Sequence, residues 1–492
     1  MMRSTFKTAA MLLSALTALS VLSACGSDAV QEPGETTAGG TEGAAVTEAD
    51  TAPAYAYPTL DCGGDTVTLL NTDMTCWSFY SYIDFEEQSG EILDDAMYMR
   101  NRGMEERYNF TLEVVDEIID TTDSLYRTAV YAGDHVYDAA YLRCDKQATF
   151  LTEGMLYNLL DYDEFQLDEP WWDYLVNEPS RIGDGKAQYF AANDITLSGL
   201  DGTLCVYFNE TMMNNLDLEA PYQAVRDGKW TIDMLHRMSK EGANMMSDSS
   251  FAWNENGTSI YGMATYTDAV SGFLTGAGES FIKIEDGQPS LVEGDDRFYS
   301  LFDKINEYTS EEGTFLFLND SGNSHYEMVF KNNRALFAIA EIKASTKYRD
   351  MNETFGIVPI PKFDEAQTQY YSHRTHVCPT VSVPVTNPDP ARTGIILDAL
   401  AYESWNTILP IYYDIRVSQK GLRNEESIEM LSIIRSTRAF DIGEGYAWTE
   451  DLSSKVLDLY NNKRGDQIAS TIEKQRTKVD KLIEKTMEYI NQ

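Results

Sequence analysis

The sequence predicts an α/β protein with a parallel sheet, organised in more than one unit. Between residues 65 and 142, strand-type alternation and helix-type spacing of apolar side chains follow one another in the order strand, helix, strand, helix, strand. The chain has 492 residues, of which 43% are hydrophobic. This is enough for several units of about 100–200 residues, each with its own core.

Each element of this alternation rests on its own pattern. Apolar residues at every second position predict strand two, short stretches rich in apolar residues predict strands one and three, and apolar residues spaced by three and four predict the helices. The second helix is expected to end at Gly133, because glycine suits the left-handed C-cap conformation. The patterns are Val67, Leu69 and Leu70 for strand one; Ile92, Ala96, Met99 and Gly103 for helix one; Phe110, Leu112 and Val114 for strand two; Leu125, Ala129 and Ala132 for helix two; and residues 137–142 for strand three.

Further elements are predicted in the second half of the chain. Residues 204–208 alternate as in a strand, and Thr231 is placed as the N-cap of a following helix. Residues 335–340 form an apolar run typical of a buried strand, and residues 468–490 form an amphipathic helix. Prolines interrupt residues 377–388. Because proline is confined to strand ends and sheet edges, we interpret this stretch as a segment that crosses between domains.

The composition excludes two classes of partner. The chain has 38 Lys and Arg against 79 Asp and Glu, which gives a formal net charge of −41. Nucleic acid backbones and anionic lipid headgroups attract basic surfaces, so we expect neither nucleic-acid binding nor adsorption to an anionic bilayer. The 30 Tyr, 20 Phe and 7 Trp suit a stacking surface for a polar organic ligand, although protein cores use such residues too.

The N-terminus is predicted to carry a lipid anchor. Arg3 and Lys7 precede an apolar run, and the tetrapeptide that ends at Cys25 reads Leu-Ser-Ala-Cys. A basic start, a short apolar run and small residues at its end are typical of a secretory signal peptide. The tetrapeptide resembles the lipobox of bacterial lipoproteins, in which the cysteine is acylated and the signal is cut just before it. We expect a signal peptide over residues 1–24, lipidation of Cys25, and a disordered tether over residues 25–58. The alternative is an ordinary signal peptide with an incidental cysteine.

The remaining cysteines and the histidines predict no metal centre and no cofactor. Five cysteines besides Cys25 match no zinc-binding spacing, and an odd number cannot all pair. We interpret them as mostly small buried hydrophobic residues, with a single disulfide as the alternative. His373, His376 and Cys378 are close in sequence, so a metal site is an alternative to their interpretation as loop residues.

Six stretches, in order along the chain, carry a family resemblance that covers most of residues 60–492. They are Arg100–Arg102 with Glu106–Tyr108, Tyr137–Ala140, Trp171–Asp173, Gly228–Thr231, Leu397–Ser404 and Arg423–Ser427. In these stretches the chain resembles extracellular solute-binding protein family 1, the carbohydrate-type substrate-binding lipoproteins of ABC transporters. In particular, the chain resembles the long lipoprotein members of this family found in Gram-positive bacteria.

This resemblance implies a two-lobed, periplasmic-binding-protein-like α/β fold. The two lobes would be joined by crossing hinge strands near residues 200–205 and 380–384, and the ligand would lie in the cleft between them. The expected lobe boundaries are residues 60–198 and 384–438 for lobe one, and residues 203–378 and 439–492 for lobe two.

The resemblance also implies a function. The protein would be a monomeric receptor on the extracellular face of the cell membrane that binds a sugar or oligosaccharide and delivers it to the transmembrane permease subunits of an ABC importer. It would not be an enzyme. The alternative is a surface glycoside hydrolase that uses two carboxylates. Among 79 acidic residues a suitable pair is bound to occur, so the pair by itself favours neither class.

Candidate ligand-binding residues lie in an aromatic loop and at several later positions. Ligands of open α/β sheets bind at the carboxyl ends of the strands, and the loop of residues 73–84 directly follows strand one. A sugar needs flat aromatic faces for its C–H surfaces, and carboxylates or amides for its hydroxyls. The candidates are Trp77, Tyr80 and Tyr82 from this loop, Asp194 just before the hinge, and Trp253, Glu279 and Tyr371 from lobe two. For each of them the alternative is a role in packing.

We expect the substitution Cys25→Ala to release the protein from the membrane. Without the thiol no diacylglyceryl group can be attached, and each buried CH₂ of an acyl chain contributes about 0.8 kcal/mol to anchoring. Fractionation should move the protein from the membrane pellet to the culture medium, and metabolic labelling with a fatty acid should be lost. Cys76→Ala is the control and should keep both the label and the pellet location. A Cys25→Ala protein that still incorporates fatty acid would contradict the lipidation.

Overall fold

The computed structural model of the protein describes residues 55–266, 268–318, 325–414 and 425–491. Cys25, the signal peptide and most of the tether lie outside these residues. Residues 55–58, the last four of the predicted tether, pack on the body of the protein: the ring of Tyr55 stacks on Tyr402 with a centroid distance of 4.6 Å. Among the described residues, no helix is both long enough and apolar enough to cross a membrane.

The described residues contain thirteen strands. They are β1 Asp65–Asp73, β2 Phe110–Ile118, β3 Ala139–Arg143, β4 Leu204–Asn209, β5 Tyr261–Thr265, β6 Ile282–Glu285, β7 Gln288–Leu291, β8 Phe315–Phe317, β9 Ala335–Glu341, β10 Phe355–Val358, β11 Ser372–His373, β12 Pro379–Ser382 and β13 Arg438–Ala439.

Eighteen α-helices accompany these strands in the described part of the chain. They are α1 Ile92–Tyr108, α2 Ile119–Ala132, α3 Cys144–Thr152, α4 Tyr174–Asn177, α5 Ser198–Asp201, α6 Glu210–Asn215, α7 Tyr222–Arg226, α8 Ile232–Gly242, α9 Ala269–Gly276, α10 Asp296–Ser310, α11 Tyr326–Lys331, α12 Ser345–Tyr348, α13 Pro390–Glu403, α14 Leu409–Ile411, α15 Glu425–Ser436, α16 Ile442–Gly445, α17 Glu450–Asn461 and α18 Ile468–Ile490.

Two mixed sheets form the centres of two lobes. The sheet of the first lobe has the order β12-β3-β1-β2, with β1 parallel to both of its neighbours and β12 antiparallel at the edge. The sheet of the second lobe has the order β10-β4-β9-β5-β8, in which β5 is parallel to β9 and to β8. Helices cover the sheets, and the strands β3, β4, β5, β9, β10 and β12 are almost entirely buried, whereas β2 alternates between buried and exposed residues in its first half. The lobe boundaries proposed from the sequence stay a prediction.

The elements predicted from periodicity are present. The strand, helix, strand, helix, strand order over residues 65–143 is confirmed, and Gly133 caps α2 with a φ of 74°. Thr231 is the N-cap of α8, because its side chain accepts a hydrogen bond from the backbone N–H of Met234 at 3.3 Å. Residues 377–388 contain the edge strand β12, which agrees with the restriction of proline to sheet edges.

Helix α1 is present, but the apolar residues that predicted it do not form its buried face. Ile92 and Met99 are 61% and 57% exposed, respectively, and the helix instead buries a neighbouring face with Leu93, Met97 and Met104. That face also buries Arg100, whose guanidinium donates to the carbonyls of residues 83 and 195 and to the hydroxyl of residue 404. The spacing of apolar residues alone does not predict this buried face, because it includes a polar side chain. Such a side chain can be buried where its hydrogen bonds are satisfied.

The C-terminal helices contact both lobes. Helix α15 packs against β10 of the second sheet, whereas α16 packs against α3 of the first lobe. Helix α18 lies against β7 near its start, and Tyr489 near its end contacts Tyr189 at a centroid distance of 6.1 Å. All five cysteines of the described residues are free thiols, four of them buried and Cys76 exposed.

One buried carboxylate organises the outer core of the first lobe. Asp398 on α13 is fully buried, and its Oδ1 accepts hydrogen bonds from the indole N–H groups of Trp171 and Trp172, both at 2.7 Å. Its Oδ2 accepts from the hydroxyl of Tyr55 at 2.7 Å and from the amide of Gln166 at 3.0 Å. Four donors from two distant parts of the sequence therefore depend on a single side chain.

We expect Asp398→Asn to destabilise the protein strongly. The new amide has one oxygen that can accept hydrogen bonds, and its NH₂ group would face N–H or O–H donors that are already buried. This should lower the free energy of unfolding by an amount on the order of 3 kcal/mol. Denaturant unfolding followed by tryptophan fluorescence measures the change in the free energy of unfolding. Asp480→Asn on the exposed face of α18 is the matched control and should change it by less than about 0.5 kcal/mol. Equal stability of the two variants would show that the four donors find other partners.

Candidate functional site

A cavity of about 360 Å³ lies where the two sheets end. Its walls come from the segment after β1 in the first lobe, from the carboxyl ends of β5 and β9 in the second lobe, and from Thr375 and Val377 just before β12. Strands of a parallel sheet share one carboxyl edge, and ligands of α/β folds bind at that edge. The position of the cavity between the lobes therefore makes it the candidate ligand site.

The first-lobe wall is a short turn that presents an aromatic ring. A 3₁₀ turn over Thr75–Trp77 follows β1, and the carboxylate of Asp73 accepts a hydrogen bond from the backbone N–H of Thr75 at 2.8 Å. Ser78 then adopts a left-handed φ of 65°, which reverses the chain. Trp77 is 42% exposed on this turn and lines the cavity, and Phe79 is buried behind it. The wall thus offers a flat ring on a fixed turn.

The second-lobe wall is a stack of rings backed by carboxylates. The rings of Tyr266 and Tyr326 are stacked with a centroid distance of 4.7 Å and an interplanar angle of 12°. The hydroxyl of Tyr266 donates to Asp268 at 3.1 Å, and the hydroxyl of Tyr326 donates to Glu341 at 3.1 Å. These hydrogen bonds hold the ring planes in place.

Burial and neighbouring charges fix the protonation of this wall. Burial raises the pKa of Tyr266 well above its usual value, and the carboxylates of Asp268 and Glu341 raise it further, so the phenol keeps its proton. Burial also raises the pKa of Asp268. Burial opposes ionisation of Glu341 as well, but the ammonium of Lys343 and the hydroxyl of Tyr266 outweigh it and lower the pKa of Glu341.

Lys343 joins the two walls. Its ammonium lies 3.6 Å from the ring centroid of Phe79 in the first lobe and 3.3 Å from a carboxylate oxygen of Glu341 in the second. Because the side chain is buried, the cation–π contact and the ion pair both act with little solvent screening. A single cation therefore connects the first-lobe turn to the end of β9.

This arrangement suits a polar organic ligand with flat apolar faces. Trp77 and Tyr266 offer stacking surfaces, with the buried ring of Tyr326 packed against Tyr266, while Asp268 and Glu341 offer hydrogen-bond acceptors close by. Within the described residues, no group of three or more His, Cys, Asp or Glu is arranged to hold a metal ion.

The structure brings one of the predicted site residues into this cavity wall, namely Trp77. Tyr80 is buried, and its hydroxyl donates to Asp94 outside the cavity. Tyr82 is 40% exposed and packs edge-on against Tyr80. Asp194 is buried near the guanidinium of Arg438, at 4.0 Å, and lines a different cavity.

The remaining predicted site residues belong to other parts of the second lobe. Trp253 lies under the guanidinium of Arg334, which is 4.6 Å from its ring centroid. Glu279 forms an ion pair with Arg297. Tyr371 follows Gln369 and Tyr370 on the way to β11 and is half-buried outside the cavity wall. Ligand binding by these residues stays a prediction.

Sequence reasoning missed Tyr266, Asp268, Tyr326, Glu341 and Lys343. Ligands of open α/β sheets bind at the carboxyl ends of the strands, and this rule applies to β9 as well as to β1. Because residues 335–340 were predicted as a strand, the rule could have identified Glu341 and Lys343 as site residues. Strand β5 has only five residues, the second of which is a glycine, so the sequence did not predict it. Without a predicted strand there, no strand end pointed to Tyr266. Tyr326 sits on a helix, and its position depends on tertiary packing.

A buried ion cluster borders the cavity on the hinge side. The carboxylate of Glu444 on α16 lies 3.2 Å from His376 and 3.4 Å from His373, and its other oxygen accepts from the hydroxyl of Ser271 at 2.6 Å. Burial disfavours the charged imidazole, but the hydrogen bond and the charge of Glu444 raise the pKa of His376 to about 9. The histidines in turn lower the pKa of Glu444 against the effect of its burial.

No family model and no curated protein matches the sequence. Solved structures do match it over most of its length. An ABC substrate-binding protein from Listeria monocytogenes in complex with cycloalternan is 12% identical, with 85% of this chain and 98% of that chain covered and a TM-score of 0.54. The GacH receptor of Streptomyces glaucescens, solved unliganded and with acarbose, is 14% identical, with 85% and 99% covered and a TM-score of 0.53. A sugar transporter protein from Rhizobium etli in an open conformation is 14% identical, with 87% and 99% covered and a TM-score of 0.53.

These likenesses define the class of fold. The protein has the two-lobed α/β fold of periplasmic binding proteins, and the fold predicted from the sequence is confirmed. The cavity with Trp77 on one side and Tyr266 on the other lies between the two lobes of this fold.

We expect the His376–Glu444 pair to make stability depend on pH. The folded pKa of His376, about 9, is above the unfolded value of about 6.5. Its contribution is therefore fully present below about pH 6.5 and is lost as the pH rises through 9. Unfolding by denaturant, measured from pH 6 to pH 10, should show a smaller decline for His376→Gln than for the wild type. Parallel pH profiles for the two proteins would contradict this assignment.

Proposed function

We propose that this protein is a lipid-anchored, extracellular receptor of an ABC importer that binds a sugar or oligosaccharide and passes it to the transmembrane permease subunits. It acts as a monomer and catalyses no reaction. The observation that supports the proposal most is the cavity between the lobes, whose two walls carry exposed or stacked aromatic rings next to ordered carboxylates. The lipid anchor rests on the sequence around Cys25.

The chemistry of this cavity matches that of a sugar. A sugar ring has C–H faces that pack on aromatic planes and hydroxyls at its edge that donate to carboxylates. Trp77 in the first lobe and Tyr266 in the second lie on opposite walls, so one ring can contact both lobes. A ligand that contacts both lobes favours the closed form by its extra contacts there, which is how binding couples to lobe closure.

The structural neighbours support the same class of ligand. Two of the reported neighbours were solved with cycloalternan and with acarbose, and a third is described as a sugar transporter. Sequence identity of 12–14% conveys the fold and not the contacts, so the class of ligand rests jointly on these neighbours and on the cavity of this chain.

We expect Trp77→Ala to weaken sugar binding about five- to tenfold without a matching loss of stability. Loss of a ring-stacking contact removes on the order of 1 kcal/mol, and Trp77 is 42% exposed in the structure without ligand. Titration calorimetry against a panel of neutral and amino-substituted mono- and oligosaccharides gives the affinity, and thermal unfolding gives the stability.

Tyr82→Ala is the matched control, since Tyr82 is 40% exposed in the same loop but outside the cavity wall. It should bind like the wild type. Failure of the folded wild-type protein to bind any sugar in the panel would overturn the proposed function, and the appearance of hydrolysis products would overturn its non-enzymatic part. Binding by Trp77→Ala as tight as that of the wild type would remove Trp77 from the site while leaving the sugar receptor intact.

A further inference from the structure

A second cavity, with a volume of about 280 Å³, adjoins the first. Its walls come from the helices α3, α9, α16 and α17 and from Phe281, which follows α9 in the chain. Asp268 lines both cavities, and the segment of residues 375–377 contributes side chains to each of them. A sugar chain that begins on the rings of the first cavity can therefore continue into the second.

The floor of the second cavity is apolar. Val270 and Leu274 on α9, Phe281, and Val456 and Leu457 on α17 form it, and of these only Leu457 is half-buried while the others are buried. An apolar group of a ligand that packs on this floor removes apolar surface from water on both sides of the contact. The floor therefore favours the carbon-rich part of a ligand over a hydroxyl.

Three carboxylates beside this floor already have partners in the protein. Asp145 accepts two hydrogen bonds from the guanidinium of Arg143, at 2.9 and 2.7 Å. Asp268 accepts from a tyrosine hydroxyl at 3.1 Å and from a threonine hydroxyl at 3.2 Å. Glu444 accepts from a serine hydroxyl at 2.6 Å and lies 3.2 Å from the imidazole of His376. Because these acceptors are occupied, the second cavity suits a ligand group without charge.

One hydroxyl of the cavity lining is buried without a partner. The Oγ of Ser453 makes no hydrogen bond with any residue that the structure describes. Ser453 lies on the face of α17 that lines the cavity, with Glu450 about one turn before it and Leu457 about one turn after it. A buried hydroxyl without a partner is unfavourable, so a ligand that brings an acceptor to this point gains a hydrogen bond without breaking another.

We propose that the ligand is an oligosaccharide that contains an N-acetylated hexosamine, with the acetamido group of this sugar in the second cavity. The proposal rests on the sugar-binding function proposed above and specifies the substrate class of that site. The acetamido methyl packs on Leu274 and Leu457, and the carbonyl oxygen accepts a hydrogen bond from the hydroxyl of Ser453. The N–H group points to the mouth of the cavity, where the exposed carboxylate of Glu450 accepts. An unmodified sugar has only a hydroxyl at this position and brings no methyl to the floor.

Matched pairs of sugars test this proposal with the purified full-length protein in detergent. Each pair differs only in acetamido groups against hydroxyls: N-acetylglucosamine and glucose, N-acetyllactosamine and lactose, and the β-1,4-linked trimer of N-acetylglucosamine and cellotriose. Titration calorimetry should show at least about tenfold tighter binding of the acetylated member in at least one pair, because a buried methyl and a new hydrogen bond both contribute. The deacetylated trimer, which carries protonated amines, should bind no more tightly than cellotriose.

Two serine variants and one altered ligand assign the preference to the second cavity. Ser453→Ala removes the unpartnered hydroxyl, so it should not lower the free energy of unfolding but should reduce the preference for the acetylated sugar at least about threefold. Ser470→Ala is the control, because this exposed hydroxyl donates to a carbonyl of residue 467 and does not line the cavity, and it should leave the preference unchanged. An N-formyl sugar lacks the methyl and should bind about threefold more weakly than its N-acetyl counterpart.

The outcomes separate this proposal from the function on which it rests. Unmodified sugars that bind as tightly as their acetylated partners in every pair would overturn the acetamido group and leave the sugar receptor intact. Tighter binding of the deacetylated trimer than of the acetylated one would also overturn it, because the site would then select a charge. A preference that is unchanged both in Ser453→Ala and with the N-formyl sugar would remove the second cavity as its site. Absence of binding to every sugar would overturn both proposals.

Discussion

The direction of the parallel strands is the constraint on which the site depends. In the first sheet β1 runs parallel to β2 and β3, and in the second sheet β5 runs parallel to β9. Parallel strands end at one edge, so the segments that follow them must gather there. This places Trp77 in one lobe, and Tyr266 and Glu341 in the other, on the walls of one cavity. The three residues are far apart in the sequence, but this separation does not affect their placement on the cavity.

Gathering so many polar groups at one edge carries an electrostatic cost. Glu341 and Glu444 are buried and Asp268 is half-buried, and removal from water disfavours the charged form of each carboxylate. The protein compensates with cations and hydroxyls from separate elements, among them Lys343 and His376. Buried pairs of this kind contribute little net stability, but removing one partner is costly. The cleft is therefore held in one arrangement by the same groups that make it polar.

The C-terminal helices constrain the relative position of the two lobes, which the two sheets do not do by themselves. Helix α18 touches β7 in the second lobe and Tyr189 in the first, and α16 brings Glu444 to the histidines before β12. Because α16 and α18 both pack against α3 of the first lobe while α18 also packs against β7, the relative position of the lobes depends on these helices.

Local sequence patterns determined the elements of the first lobe and one wall of the site. The short apolar stretch with Val67, Leu69 and Leu70 predicts a buried strand from neighbouring residues alone. The rule that ligands bind where strands end then points to the loop with Trp77, which lines the cavity. Tertiary structure alone decided the rest. Helix α1 buries Arg100 instead of Ile92, because backbone carbonyls from distant segments accept the hydrogen bonds of the guanidinium. The rings of Tyr266 and Tyr326 stack only because β5 and α11 are adjacent in the fold. Such contacts depend on groups far apart in sequence, and no local period encodes them.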